Sequence, residues 1–176
     1  MTKKLHLEKN LTGHILDIGG GGEGVIGQIY GKQVTAVDTL KCELDEAPPG
    51  FNKTVMNALH LGFSTATFDN ATAFFSFMFI KQPLHEPIFR EVFRVLKPGG
   101  AFLIWDAEFE NAEPFIIEVS IVYDGQESSP SYGIQREGVR QSVPLFIQQA
   151  TQAGFDFTDS FTNKNSFFLT LRKPLA

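Results

Sequence analysis

The stretch ILDIGGGGEGVIG, from Ile15 to Gly27, constrains this chain more than any other. A short apolar run rich in Ile and Leu, HILDI, meets six glycines within thirteen residues, and an apolar pattern then resumes. Ile and Leu without polar alternation suit a strand buried on both faces. The glycines that end it permit positive φ and let backbone approach a ligand closely. Val25, Ile26, Ile29 and Tyr30 follow at helical spacing, and Gly31 offers a stop. A buried strand, a glycine turn and a helix make the first half of a βαβ unit, which points to a parallel sheet with helices packed on it.

Downstream segments repeat that alternation. QVTAVD reads as the next strand, with Asp38 at its C-terminal end. From Thr39, TLKCELDEAPPG reads as a short helix closed by two prolines and a glycine. KTVMNA gives a third strand, and the first half of FDNATAFFSFMFI alternates as a fourth. PLHEPIFREVFRVLKPGG is an amphipathic helix with Ile88, Phe89, Val92, Phe93, Val95 and Leu96 on its buried face, terminated by Pro98-Gly99-Gly100. AFLIWD follows as a fifth strand. FIIEVSIVYDGQESSPSYGIQ has strand character broken at Asp124-Gly125 and at a Ser/Pro turn, an inserted excursion at about 108–143. VPLFIQQATQAGF returns to helix, and FDFTDSF with SFFLTLRK forms a closing hairpin, which sets the last strand antiparallel to its neighbour.

At 176 residues, 43% hydrophobic and 20% charged, the chain can bury one substantial core and is too short for two ordinary domains. One domain over 1–176 is therefore expected. A net charge of -5 and no long Lys/Arg cluster argue against nucleic acid as a partner. A single cysteine, Cys42, excludes an intramolecular disulfide and a Cys-rich metal site, and no metal is expected. MTKKLHLEKN lacks the apolar centre of a signal peptide, and the longest apolar run, Ala71 to Ile80, is too short to span a bilayer. A cytoplasmic protein without a membrane partner is the expectation.

Within the loop, G-x-G-x-x-G occurs twice, as Gly19-Gly21-Gly24 and as Gly22-Gly24-Gly27. Asp38 stands 19 residues after Gly19, where dinucleotide-binding proteins carry the acid that takes the ribose hydroxyls. Those facts leave NAD and another adenosine ligand open. Asp17, two residues before the glycines, suits a cationic ligand and opposes a pyrophosphate, although a helix N-terminus also welcomes an acid for its own stability.

ILDIGGGGEG, VTAVDT, FDNATAFFSFMFI and REVFRVLKPGGAFLIWD stand in an order and spacing that resemble the class I S-adenosylmethionine-dependent methyltransferases. The resemblance runs from Ile15 to Asp106, and LKPGG is its most distinctive piece. It implies an α/β fold with a Rossmann-like, doubly wound, seven-stranded sheet, mostly parallel with an antiparallel last strand. It implies S-adenosylmethionine as cofactor and methyl transfer to a small-molecule acceptor. The alternative is a methyltransferase-like module that holds the cofactor without transferring the methyl.

By that resemblance Asp17 lies near the amino acid moiety of the cofactor, and Gly19, Gly20 and Gly21 pass under its methionine portion and ribose. Asp38 binds both ribose hydroxyls, and Thr39 or Leu40 flanks the adenine. Asn57 and Ala58 stand where the family often has Asp-Ala, the side chain accepting from the adenine amino group and the next amide donating to the ring. Phe75 and Ser76 line the methionine and substrate side.

Three departures accompany it. Glu23 occupies the third glycine position and Gly24 comes one residue later, which lengthens the loop. Met78, Phe79 and Ile80 replace the His pair of many relatives. The 14 residues before Ile15 leave no room for covering helices, a role the excursion is expected to fill. Candidates for a general base are His85, Asp106 and Tyr132, with His60 also near the expected edge. Each has a plainer role: a cap or surface group for His85, a turn for Asp106, packing for Tyr132. The apolar FIIEVSIVY run needs a covering surface, from which a homodimer is expected.

Overall fold

A computed structural model describes residues 4–109, 115–134, 140–163 and 165–175. The first strand, β1, spans Lys4–His6. The apolar run forms β2 (Ile15–Ile18), buried throughout, and the glycine loop leads to α1 (Val25–Tyr30), which stops at Gly31 with φ 59°. Next come β3 (Val34–Asp38), α2 (Lys41–Glu46), β4 (Asn52–Val55), β5 (Phe68–Phe74), α3 (His85–Val95) and β6 (Leu96–Ala107). Four short strands follow: β7 (Phe115–Glu118), β8 (Ser120–Tyr123), β9 (Gln126–Ser128) and β10 (Ser131–Ile134). α4 (Val143–Ala153), β11 (Asp156–Asn163) and β12 (Ser166–Arg172) close the chain.

Seven strands make one sheet in the order β11-β12-β6-β5-β2-β3-β4. The stretch from β6 to β4 is parallel, while β12 runs antiparallel to both β6 and β11. This is the expected Rossmann-like, doubly wound α/β sheet with an antiparallel closing strand. One face carries α3 and α4 over Leu16, Ile18, Phe102, Ile104 and Leu169. The other carries α1 and α2 over Ile15, Val34 and Ala36. Many of the phenylalanines are core: Phe77 stacks on Phe89 with centroids 5.4 Å apart and meets Phe146 edge-on at 5.3 Å.

Two boundaries differ from the sequence expectation. α3 ends at Val95, and LKPGG, expected to terminate the helix, belongs to β6 instead. β6 pairs Leu96 with Phe68 and resumes at Ala101 with Asn70. The residues between bulge out of the ladder, because Pro98 has no amide to donate and Gly99 turns at φ 78°. α2 covers only six residues, since the Asp38 side chain first caps the Leu40 amide in a turn at 2.9 Å and the prolines at 48 and 49 stop the helix.

The excursion builds two small sheets, β1-β8-β9 and β10-β7. Asp124 and Gly125, at φ 48° and 74°, make the expected tight turn between β8 and β9. β1, three residues without a local strand signal, lies parallel to β8 with Lys4 opposite Ser120. Val119 and Ile121 are buried with Val25, Ile26 and Ile29 of α1, and the Tyr123 hydroxyl donates to the Ile29 carbonyl at 3.0 Å. Within the run from which a homodimer is expected, Val119, Ser120 and Ile121 are buried in the chain, and Ile116 is 75% exposed. Residues 110–114 and 135–139 of the excursion lie outside the described residues. Among the described residues, no helix is long and apolar enough to cross a membrane.

Candidate cofactor site

Parallel strands place their C-terminal ends on one edge of a doubly wound sheet, where ligands bind. β2, β3 and β5 deliver Ile18, Asp38 and Phe74 there, followed by the glycine loop, Thr39 and Phe75. The loop hugs the sheet: the Gly19 and Gly20 amides donate to the Val37 carbonyl at 2.8 and 3.3 Å. Gly19 turns at φ 68°, and a Cβ there would lie 2.5 Å from the Ser76 Cβ. At Gly20 a Cβ would meet Asp17 Oδ2 at 2.4 Å, and at Gly21 the Glu43 Cβ at 2.5 Å and Asp38 Oδ2 at 3.0 Å. Asp17, Gly19, Gly20, Gly21 and Asp38 therefore lie together at one spot.

The second glycine match does different work. At Gly27 a Cβ would lie 2.4 Å from the Phe51 ring, and at Gly24 one would lie 2.8 Å from the same ring. These glycines let α1 pack on Phe51. The extra loop residue is absorbed by Gly22 and Gly24, both near φ 57°, and the Gly22 amide donates to the Glu43 carbonyl at 2.8 Å. The backbone carbonyl of Glu43 thus holds this turn.

Asp17 is buried beneath the loop and accepts from the Thr72 hydroxyl at 2.8 Å. Burial, reinforced by the Asp38 charge, pushes its carboxyl up to about 7 against the Thr72 hydrogen bond. Asp38 is half-buried, with Oδ1 engaged by the Leu40 amide. Thr39 and Leu40 are exposed beside it. Asn57 follows β4 and is drawn alongside Asp38 by the Met56 amide, which donates to the Asp38 carbonyl at 2.9 Å. Asn57 is exposed, its Oδ1 accepts from the Leu59 amide at 3.0 Å, and Ala58 is buried.

The far wall is aromatic. Phe75 sits at φ 49°, a left-handed conformation rare for a bulky residue. Its ring stacks on Tyr132 of β10, with centroids 4.8 Å apart and planes 8° apart, and Phe74 meets both rings edge-on. Trp105, the single tryptophan, continues the row at 5.9 Å from Phe74, and Phe168 lies 4.9 Å further on. Tyr132 thus sets the excursion against Phe75. Burial, then the charges of Glu23, Asp17 and Asp106, push the Tyr132 phenol above its ordinary value. Next to Phe75, the Ser76 hydroxyl is buried without a hydrogen-bond partner among the described residues.

The other base candidates point elsewhere. His85 is buried between Phe77 and Phe146, with Nε2 3.1 Å from the Ile80 carbonyl, and burial holds its pKa below the usual value. Asp106 is buried among backbone amides and Gln141. His60 is exposed on the loop after β4. Thr72 and Gln141, the partners of the two buried acids, escaped the sequence reading because a polar residue inside a strand or loop carries no local sign of its distant partner.

Among known proteins, the family described as "Methyltransferase domain" matches residues 16–104. The sterol 4-C-methyltransferase strm-1 of Caenorhabditis elegans is 32% identical over 117 residues, which cover 60% of this chain and 34% of that protein. The chain therefore spans about a third of the length of that relative. An S-adenosylmethionine-dependent methyltransferase from Methanosarcina mazei superposes with a TM-score of 0.67 at 18% identity, covering 98% of this chain and 100% of the other. The [4+2]-cyclase SpnF gives 0.69 at 18%, covering 94% and 78%. The PH0226 protein of Pyrococcus horikoshii OT3 gives 0.69 at 19%, covering 94% and 84%. At such identities these structures share the fold. With the family match over half of its residues and the seven-stranded sheet around it, the chain belongs to the class I S-adenosylmethionine-dependent methyltransferase family.

Proposed function

We propose that this chain binds S-adenosylmethionine in the glycine cradle and transfers its methyl group to a small, apolar acceptor held at the Phe75–Tyr132 wall. The observation that carries the reading is the convergence of Asp17, Gly19, Gly20, Gly21 and Asp38, with the unpartnered Ser76 hydroxyl at its inner end. These residues fit the cofactor. Asp38 Oδ2 faces the loop where ribose hydroxyls would donate, and the two acids of the cradle, Asp17 and Asp38, would oppose a pyrophosphate. Asn57 keeps a second lone pair on its oxygen for the adenine amino group.

When bound, the cofactor supplies a methyl group on a sulfonium, open to in-line attack by a nucleophile. This chain's residues contribute position and exclusion of water, which can supply much of the rate of such a displacement. Tyr132 offers a hydroxyl that donates, and His85 and Asp106 are committed to the core, so the acceptor is one that brings a ready nucleophile. The aromatic row from Phe75 to Phe168 favours an apolar acceptor, and the sterol named for the Caenorhabditis elegans relative is of that class.

Calorimetric titration with S-adenosylmethionine, S-adenosylhomocysteine and NAD tests the first half. Both sulfur ligands should bind and NAD should not, and Asp38→Ala should weaken binding roughly tenfold or more, the worth of a charge-assisted hydrogen bond. Lack of binding by either sulfur ligand ends the proposal. For the second half, methyl-labelled cofactor added to a cell extract should give label that partitions into organic solvent. Label retained in water or on macromolecules would move the acceptor to another class.

A further inference from the structure

Asp106 carries the sequence expectation of a general base, yet its surroundings describe another task. The carboxylate is fully buried, and its hydrogen-bond partners are all donors. Oδ2 accepts from the Phe77 amide at 2.8 Å. Oδ1 accepts from the Ala107 amide at 2.8 Å and from Gln141 Nε2 at 2.7 Å. Gln141, itself buried, shares the same Nε2 with the Ala107 carbonyl at 2.7 Å.

Two pieces of the site hang from this carboxylate. Phe77 and Met78 open the 3-10 turn (Phe77–Phe79) directly after Phe75 and Ser76. Gln141 pairs its backbone with Phe109 in both directions, at 3.0 and 2.9 Å, so the excursion leaves and rejoins the sheet at one neck. Tyr132 belongs to β10 within that excursion and stacks on Phe75. The stacked pair thus has one ring on each piece, and Asp106 is the common anchor.

We propose that Asp106 is a positioning residue: one carboxylate holds both the turn behind Phe75 and the neck of the excursion, and so fixes the Phe75–Tyr132 wall. Gln141 is its counterpart on the excursion side. The inference rests on the reading of that wall as the acceptor side of the site.

Hydrogen exchange on the full chain at pH 8, above the value to which burial pushes the carboxyl, tests it with Asp106→Asn and Gln141→Met. In Asp106→Asn, exchange should rise roughly tenfold at Phe77, Phe109, Gln141 and β10, the worth of a hydrogen bond to a charged group, while β2 and β3 keep wild-type rates. Gln141→Met should loosen the neck and β10 while the Phe77 amide stays protected, and it stands as the test if Asp106→Asn does not fold. Both variants should also weaken the near-ultraviolet circular dichroism of the stacked Phe75–Tyr132 pair, read as the difference from the same variant carrying Tyr132→Leu. A buried acid with only a local structural role would leave that signal at its wild-type size. Wild-type protection of β10 in Gln141→Met, uniform loosening of the whole sheet, or an unchanged Tyr132 signal would overturn the proposal. Calorimetry of wild type with S-adenosylhomocysteine runs alongside: absent binding removes the cofactor reading, whereas the exchange pattern judges the anchor independently.

Discussion

At Gly19 a side chain would meet two obstacles at once, a left-handed backbone and the Ser76 Cβ 2.5 Å away. Gly27 has neither a positive φ nor a place in the cradle, and the Phe51 ring opposes it. The two alanine variants should therefore separate. Gly19→Ala should cost about 2 kcal/mol of stability from the left-handed backbone alone and also abolish most S-adenosylhomocysteine binding, because the cradle must shift. Gly27→Ala should cost on the order of 1–3 kcal/mol through overpacking and leave that affinity within about twofold. Urea unfolding paired with calorimetry reads both quantities, and equal loss of affinity in the two variants would refute the division of labour between the glycines. The sequence showed two overlapping fingerprints with equal claims. What separates them is the distance to Ser76 on one side and to Phe51 on the other, which no local pattern encodes.

Among the elements, β1 is the smallest and one of the most consequential. Its three residues pair with β8, whose other neighbour is the three-residue β9. A two-stranded hairpin is marginal in water, and a third strand with an apolar face makes the difference. Deleting residues 1–7 should speed hydrogen exchange in β8 and β9 roughly tenfold or more, the worth of about one lost backbone hydrogen bond, while β5 and β6 keep their protection. Unchanged exchange in β8 would show that α1 alone holds the excursion. β1 was illegible in the sequence because a parallel partner more than a hundred residues away leaves no trace in three residues. α3, by contrast, was legible from its apolar periodicity, though LKPGG was read as a helix stop when its place in β6 is set by pairing with β5.

On the scale of the whole molecule, two buried acids couple folding to pH. Burial raises Asp17 and Asp106 from an ordinary 3.8 to about 7 each. Between those values the folded state holds protons that the unfolded chain releases. The stabilisation is therefore complete below the unfolded value and is lost as pH rises through 7. His85, lowered by burial, works in the opposite sense, but only below about its ordinary 6.5, where the unfolded chain takes up a proton. Between pH 6.5 and 8 the acids act alone of these three. The melting temperature of the ligand-free protein should fall across that interval, and Asp106→Asn should remove roughly half of the fall. A flat profile in wild type would mean that both acids ionise in the fold at ordinary values.

The sequence by itself determined the alternation of strand and helix, the glycine turn after a buried first strand, the acid at the end of the second, and the closing hairpin. Each is local: periodicity, turn chemistry and short spacing are written in neighbouring residues. Tertiary structure decided the functions of the remaining polar groups. Asp106 and His85, candidates for catalysis by position along the chain, turn inward because the sheet edge and α3 bury them, whereas Tyr132 reaches the site only because the excursion folds back over Phe75. The partners that settle those roles lie 29, 35 and 57 residues away in Phe77, Gln141 and Phe75, a separation that only packing can close.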